Sequence, residues 1–350
     1  MKEALDVYTL RRLAIKIIQN KKLRRMPNGQ ANVKREARLL RRLKHKNVVE
    51  MVDIFYKQDV QKVYFVMEYC AATLKEVLDS VPGTKKLPGH QVQDYLVQLL
   101  TGMAYIHSQG VIHRDIKPAN LLLSNDEVLK LSDFGVAYEL DRFQPGDACL
   151  TTAGTTPFQP PEVANADINA VYSGCKVDVW AAGVTLWNMS TGGYPFPIDE
   201  GSLFNLLSAI AKADYAIPEG VGPDLAHLLR SILEVDVAKR FTVAQVLQHR
   251  WVTARIDPAS VAAEPRVPIP AREFKGEEAD PDRGITVVEE LDKMHGVDEL
   301  RDRRLKVPLD DSIRPPRDSL DSPGSGNERT RTGSIGKLFR NFFSGGASGK

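Results

Sequence analysis

The segment Val111 to Gly135, VIHRDIKPANLLLSNDEVLKLSDFG, gathers the side chains of this chain that are best suited to chemistry. Two apolar runs, LLL and VLKLS, are joined by a turn at SNDE, the pattern of a β-hairpin. A hairpin returns its two ends to one place. It therefore brings His113-Arg114-Asp115-x-Lys117-x-x-Asn120 beside Asp133-Phe134-Gly135. Phosphoryl transfer needs a carboxylate that accepts or orients an attacking hydroxyl, a cation for the charge on the moving group, and oxygen ligands for a divalent ion on nucleotide phosphates. Asp115 is the candidate base, Lys117 the candidate cation, and Asn120 with Asp133 the candidate metal ligands. An oxygen-only ligand set suits Mg²⁺ (or Mn²⁺) rather than zinc.

Such residues need a scaffold, and the hydrophobic pattern supplies one. LAIKII (Leu13 to Ile18) is interrupted only by Lys16, and KVYFVMEY (Lys62 to Tyr69) is β-branched and aromatic, so both read as strands. A lysine within an apolar strand is either solvated on the open face or faces a partner of opposite charge. Between the strands, Val33, Ala37 and Leu40 recur at helical spacing. The only acid of that helix is Glu36, set among arginines and a lysine that would favour its ionised form. His90 to Gly110, Val177 to Gly192 and Asp224 to Asp236 are further helix-length patterns. Strands with one helix come first and helices follow, an α+β chain.

Composition sets outer bounds. With 43% hydrophobic and 26% charged residues and a formal net charge of +2, the chain has a sizeable core to bury and no global nucleic-acid or membrane signal. Its three cysteines, Cys70, Cys149 and Cys175, are scattered without a metal-binding spacing, which fits a reducing cytoplasmic or nuclear setting. The first residues lack a signal-peptide core, and the longest apolar run is too short to span a bilayer. Beyond Trp251 the composition turns to Pro, Ser, Gly and charge, so the tail is expected to be largely disordered, with ITVVEELDKMHG (Ile285 to Gly296) its one stretch apolar enough to dock.

HRDIKPAN followed by DFG resembles the catalytic-loop and metal-loop signature of eukaryotic protein kinases. The resemblance implies a two-lobed fold over residues 1–253, with a small β-rich lobe to about residue 69, a helical lobe from about 70, a flank over 254–300 and a basic tail over 301–350. By the same resemblance LAIK is the strand whose Lys16 holds the α- and β-phosphates of ATP and pairs with Glu36. Met67 would guard the back of the adenine pocket, Glu68 to Cys70 would form the hinge, and Ala14 with Leu122 would sandwich the base. Leu40, Met51, His113 and Phe134 would stack between the lobes, and Asp178 would tie down the catalytic loop. GTTPFQPPE (Gly154 to Glu162) stands where the family has its substrate-facing loop. It ends Pro160-Pro161-Glu162 in place of Ala-Pro-Glu, with Arg240 the implied partner of Glu162. The IKPAN form around Lys117, and Thr155 bridging Asp115 and Lys117, are the features of kinases that act on serine and threonine.

Longer strings narrow the likeness. NKKLRRMPNGQANVKREARLLRRLKHKNVV, PFQPPEVAN, RVPIP and ITVVEELDKMHG are similar to the liver kinase B family, from residue 1 to about 296. That family implies substrates among AMP-activated protein kinase and its relatives, and activation by a pseudokinase partner and a helical-repeat scaffold rather than by loop phosphorylation. Thr151 and Thr152 lie in the activation segment and leave a phosphorylation switch open.

One family element is missing. Such kinases carry a Gly-rich loop before the lysine strand, yet no glycine precedes Lys16. The favoured expectation is an N-terminally incomplete version of a longer protein; the alternative is a short form with a weakened ATP site, acting as a pseudokinase-like scaffold. Two lesser patches remain. The eleven Lys and Arg between Lys21 and Lys46 read as a solvated helix face and partner surface before nucleic-acid binding. The last residues, RTRTGSIGKLFRNFFSGGASGK, read first as an unstructured tail, with a weak amphipathic membrane contact around Leu338 and Phe342, tunable by phosphorylation at Ser334, as the second reading.

Overall fold

The computed structural model describes residues 1–6, 8–25, 28–57, 61–140, 146–149, 153–164, 171–197, 202–254 and 264–270. ITVVEELDKMHG, Thr151, Thr152 and Ser334 lie outside them. The chain forms two units, one of Met1–Glu3 with Leu13–Phe274 and the other of Ala4–Arg12 with Lys275–Lys350. In the second unit the described residues close a tight turn, in which the Asp6 carboxylate accepts the Tyr8 and Thr9 amides at 3.0 and 3.1 Å.

In the first unit the α+β expectation is met by a two-lobed protein kinase fold. After β1 (Lys2–Leu5) come β2 (Arg12–Gln19), the short α1 (Asn20–Arg25), α2 (Gly29–Arg42), β3 (Met51–Lys57) and β4 (Lys62–Glu68). β4 pairs antiparallel with both β2 and β3. The pleat settles the orientation of Lys16: Leu13 and Ile15 are buried in the core, while Ala14 and Lys16 take the opposite face. Burying each such aliphatic side chain contributes about 1.5–3 kcal/mol, enough to fix the strand's register. α1 departs from the sequence reading; it is six residues long and tucks Leu23 inward.

The helical lobe begins at β5 (Ala72–Thr73) and α3 (Leu74–Ser80), whose start is a reciprocal Thr73–Glu76 capping box. α4 (Gly89–Ser108) leads to β6 (Val111–Ile112), then β7 (Leu121–Leu123) and β8 (Leu129–Leu131) form the expected hairpin. β9 (Tyr138–Glu139) pairs with β6, and β10 (Ala148–Cys149) pairs, beyond the short α5 (Pro161–Ala164), with β11 (Tyr172–Ser173). α6 (Gly174–Thr191) is buried almost all round, as its continuous apolar pattern requires. α7 (Leu203–Lys212), α8 (Pro223–Ile232), α9 (Val243–Gln248) and α10 (Arg250–Thr253) complete the lobe. The helix expected through Asp236 stops at Ile232, because the Asp236 carboxylate takes the Ala238 amide in a turn of its own.

The flank departs from expectation. Arg266 and Val267, in RVPIP, dock on α4: the Gln91 amide exchanges two hydrogen bonds with the Val267 backbone, and Arg266 pairs with Asp94 and Glu127 at 2.6 and 2.7 Å. RVPIP thus docks although it is not a stretch that apolarity singles out. A search by apolarity passes over this one because polar groups anchor it.

Candidate active site

The loop after β6 is held from below by one carboxylate. Asp178, fully buried on α6, accepts the backbone amides of His113 and Arg114 at 2.8 and 2.7 Å and the His107 ring at 2.8 Å. His113 is fixed in turn: its Nδ1 accepts the Asp115 amide and its Nε2 donates to the Ser132 carbonyl. Thus the His-Arg-Asp turn and the residue before Asp133 share one imidazole.

Asp115 lies at the centre of the donors that the sequence placed around it. Its Oδ2 accepts from Lys117 Nζ at 2.8 Å and Asn120 Nδ2 at 2.7 Å, while its Oδ1 accepts from Thr155 Oγ1 at 2.6 Å. Thr155 Oγ1 accepts in its turn from Lys117 Nζ at 2.5 Å. Burial works to raise the Asp115 pKa, but the bonds from Lys117, Thr155 and Asn120 outweigh it and hold the carboxyl below its ordinary value. Thr155 reaches this position because Gly154, at φ +100°, presses against the catalytic loop; a Cβ there would lie 2.2 Å from the Arg114 carbonyl oxygen.

A second cluster faces the first from the small lobe. Lys16 Nζ donates to Glu36 Oε1 at 2.7 Å and to Asp133 Oδ1 at 3.1 Å. The cation beside Glu36 is Lys16, from the neighbouring strand, rather than the basic residues along its own helix. The Glu36 side chain is 5% exposed and Lys16 is its salt-bridge partner. Burial is the largest influence and pushes its carboxyl above the usual range, with Lys16 opposing. Lys16, at 26% exposure, behaves differently: burial would lower its pKa, yet Glu36 and Asp133 together raise it. Two carboxylates serve one ammonium, so the cation is better compensated than the buried anion.

Asp133 is half exposed and has left-handed backbone angles, φ 63° and ψ 71°; Arg114 shares the positive φ at 65°. Non-glycine residues in this region cost about 1–2 kcal/mol each, strain that tends to gather at working sites. At the end of the substrate-facing loop, Glu162 receives a two-pronged bond from Arg240 at 2.6 and 2.9 Å. Arg240 is fully buried, lies 4.9 Å over the Trp180 ring and donates to the Glu234 carbonyl. Breaking a buried pair of this kind costs about 3–5 kcal/mol.

The protein kinase domain family matches residues 2–252. The chain belongs to the protein kinase family. It is 49% identical to the serine/threonine-protein kinase STK11 of Gallus gallus over 313 residues, covering 89% of this chain and 68% of the relative. Against STK11 of Homo sapiens it is 49% identical over 302 residues, 86% and 67% of the two chains. Against par-4 of Caenorhabditis elegans it is 39% identical over 253 residues, 72% and 40%. The kinase is therefore a serine/threonine protein kinase of the liver kinase B group, an ATP-using transferase with protein substrates.

The remaining predicted positions fall on the strands, the hairpin and the loops around these two clusters. Ala14 stands opposite Met67 across the β2–β4 ladder, and Met67 and Cys70 are buried. The Glu68 carboxylate accepts the Glu50 amide and pairs with Lys130 of β8, fastening the strand end to the hairpin. Leu122 lies partly exposed on β7, beside Thr73 of β5. Phe134 stacks at a tilt on His113, 4.9 Å between centroids, and Leu40 and Met51 are buried. Sequence reading passes over Arg114, which donates to the Val136 carbonyl and lies 5.4 Å from the Tyr138 ring. Its place inside the HRD string is the available signal. It also passes over Glu139; in the basic run Arg38 and Arg42 are exposed, as a solvated helix face requires, while Arg35, Arg38 and Arg42 each also reach a partner within the fold. Among the described residues no helix is long and apolar enough to cross a membrane.

Proposed function

We propose that the kinase transfers the γ-phosphoryl group of MgATP to serine and threonine hydroxyls on the activation loops of AMP-activated-protein-kinase-like kinases. The observation that supports this most is the four-membered network Asp115–Lys117–Thr155–Asn120. Two donors occupy Asp115 Oδ2, so the spare lone pair is on Oδ1. An incoming hydroxyl donates there. The oxygen then attacks phosphorus in line, its proton passes to Asp115, and the bond to the bridging oxygen of ADP breaks. A carboxylate of depressed pKa is a weak base, so Asp115 chiefly orients the hydroxyl and takes the proton late. Lys117 supplies positive charge beside the transferred group.

The donors present fit a magnesium ion bound with nucleotide. Among the described residues no three His, Cys, Asp or Glu side chains converge to hold a metal, and a magnesium ion arriving with nucleotide would take its other ligands from phosphate oxygens. Asn120 commits its amide nitrogen to Asp115 and offers its Oδ1, and Asp133 offers a half-exposed carboxylate. The ion, when bound, neutralises charge on the phosphates. Lys16, steadied by Glu36, holds the α- and β-phosphates. On the resemblance of the sequence to the liver kinase B family, a pseudokinase partner and a helical-repeat scaffold form the proposed assembly in which the enzyme works.

The test is transfer of labelled phosphate from MgATP to a serine/threonine peptide and to an AMP-activated-protein-kinase-type activation loop. Asp133→Ala is expected to abolish transfer to both. Equal activity in that variant would sink the catalytic assignment, and transfer to the generic peptide alone would sink the substrate assignment.

A further inference from the structure

The helix that carries Glu36 is fastened to the catalytic core by charges that the reaction itself does not use. Arg35, Arg38 and Arg42 recur at three and four residues along α2 and so share a face. Each reaches across to the chain just beyond Asp-Phe-Gly or to the end of α4. Arg35 Nη1 donates to the Ala137 carbonyl at 3.0 Å, and Arg42 Nη2 to the Gln109 carbonyl at 3.3 Å. The two longer reaches meet on one side chain: Arg38 Nη1 lies 3.4 Å from Glu139 Oε2, and Arg42 Nη1 lies 3.3 Å from Glu139 Oε1. Glu139 is 25% exposed, sheltered enough for its charge to be felt and open enough to exchange partners.

The position of Glu139 gives the contact its consequence. It sits on β9 opposite Val111 of β6, and β6 runs directly into His113-Arg114-Asp115. Tyr138, its neighbour, lies under the Arg114 guanidinium. A pull on Glu139 is therefore a pull on the strand pair from which the catalytic loop springs. At the other end of the contact, Glu36 stands two residues before Arg38 on the same helix, so a shift of Arg38 carries Glu36 with it.

We infer that Glu139 is a positioning residue: by bridging Arg38 and Arg42 it sets α2 against the catalytic core and so keeps Glu36 within reach of Lys16. The device rests on the reading above, in which the Lys16–Glu36 pair grips the phosphates. A helix released from Glu139 samples positions where Glu36 is withdrawn, and ATP affinity falls by the fraction of time it spends there.

Amide hydrogen exchange of the nucleotide-free full chain tests this without relying on activity. In Glu139→Gln, which keeps shape and removes charge, and in Arg38→Gln, peptides from α2 are expected to exchange about threefold to tenfold faster, while α4 and α6 stay unchanged. The KM for ATP should rise by a similar factor with kcat little altered, and the double exchange Glu139→Arg with Arg42→Glu should recover part of it. Wild-type exchange rates in α2 for both single variants would overturn the inference. So would a uniform increase across all helices, which would mark Glu139 as a general contributor to stability. A wild-type chain that binds no ATP would count against the proposed function and leave the exchange result standing.

Discussion

At the scale of single residues, the site is organised around keeping one carboxylate charged and aimed. Asp115 bears a desolvation cost that three donors more than offset, so its pKa lies below the ordinary aspartate value. The sign follows from linkage. A depressed carboxylate contributes stability that is fully present above its unfolded pKa and is lost only as pH falls through the lower, folded value. Activity measured from about pH 8 down to about pH 5 should therefore show no acid limb due to Asp115. An ionisation near neutrality that disappears in Asp115→Asn would contradict this. Thr155 is the softer member, since its hydroxyl both donates to Asp115 and accepts from Lys117. Thr155→Ala removes a charge-assisted bond worth about 1.5–3 kcal/mol, so kcat should fall roughly tenfold to a hundredfold, and Thr155→Ser should recover most of it. Loss without recovery by serine would mean that the methyl group, not the hydroxyl, is what the site needs.

Elements decide how those residues meet, and here backbone shape matters as much as side-chain chemistry. Gly154 and Gly146 both have positive φ, +100° and +94°. A Cβ on Gly154 would strike the Arg114 carbonyl, whereas one on Gly146 meets nothing within 4 Å. Gly154→Ala should thus push Thr155 off Asp115 and cut kcat more than tenfold, while Gly146→Ala should cost about 1 kcal/mol of stability and leave kcat near wild type. Matching kinetics in the two variants would show that the close approach to Arg114 is not what places Thr155. This contact was invisible in the sequence, because it depends on a fold-level meeting of two loops. The hairpin from Leu121 to Leu131 was legible, since alternation and turn chemistry are local. The helix bearing Glu36 was legible too, but its electrostatics were not. Neighbours along the sequence are basic, and the fold points them at Ala137, Gln109 and Glu139 while it buries the carboxylate against Lys16. Sequence proximity of charge and spatial proximity are different quantities, and only the second sets a pKa.

For the kinase unit as a whole, the docked flank tests which kind of contact holds chain to core. Gln91 is fully buried and its side-chain amide mimics a strand neighbour, giving and taking one bond with Val267. Arg266 makes two ion pairs, but it is 32% exposed and its partners Asp94 and Glu127 are 56% and 32% exposed. Exposed pairs are worth about 0–1 kcal/mol each, whereas leaving buried amide groups unsatisfied costs about 1–3 kcal/mol. The uncharged contact should therefore dominate. Gln91→Ala is expected to lower the melting temperature by roughly 2–8 °C for a unit of this size and to speed proteolysis around residues 264–270. Arg266→Gln should do less than half as much, and its effect should vanish in high salt, where surface pairs are screened. The reverse order would assign the docking to charge. Because Glu127 belongs to the turn of the hairpin whose ends carry Asn120 and Asp133, a charge-driven dock would then make the flank sensitive to ionic strength at the turn behind the metal-binding residues.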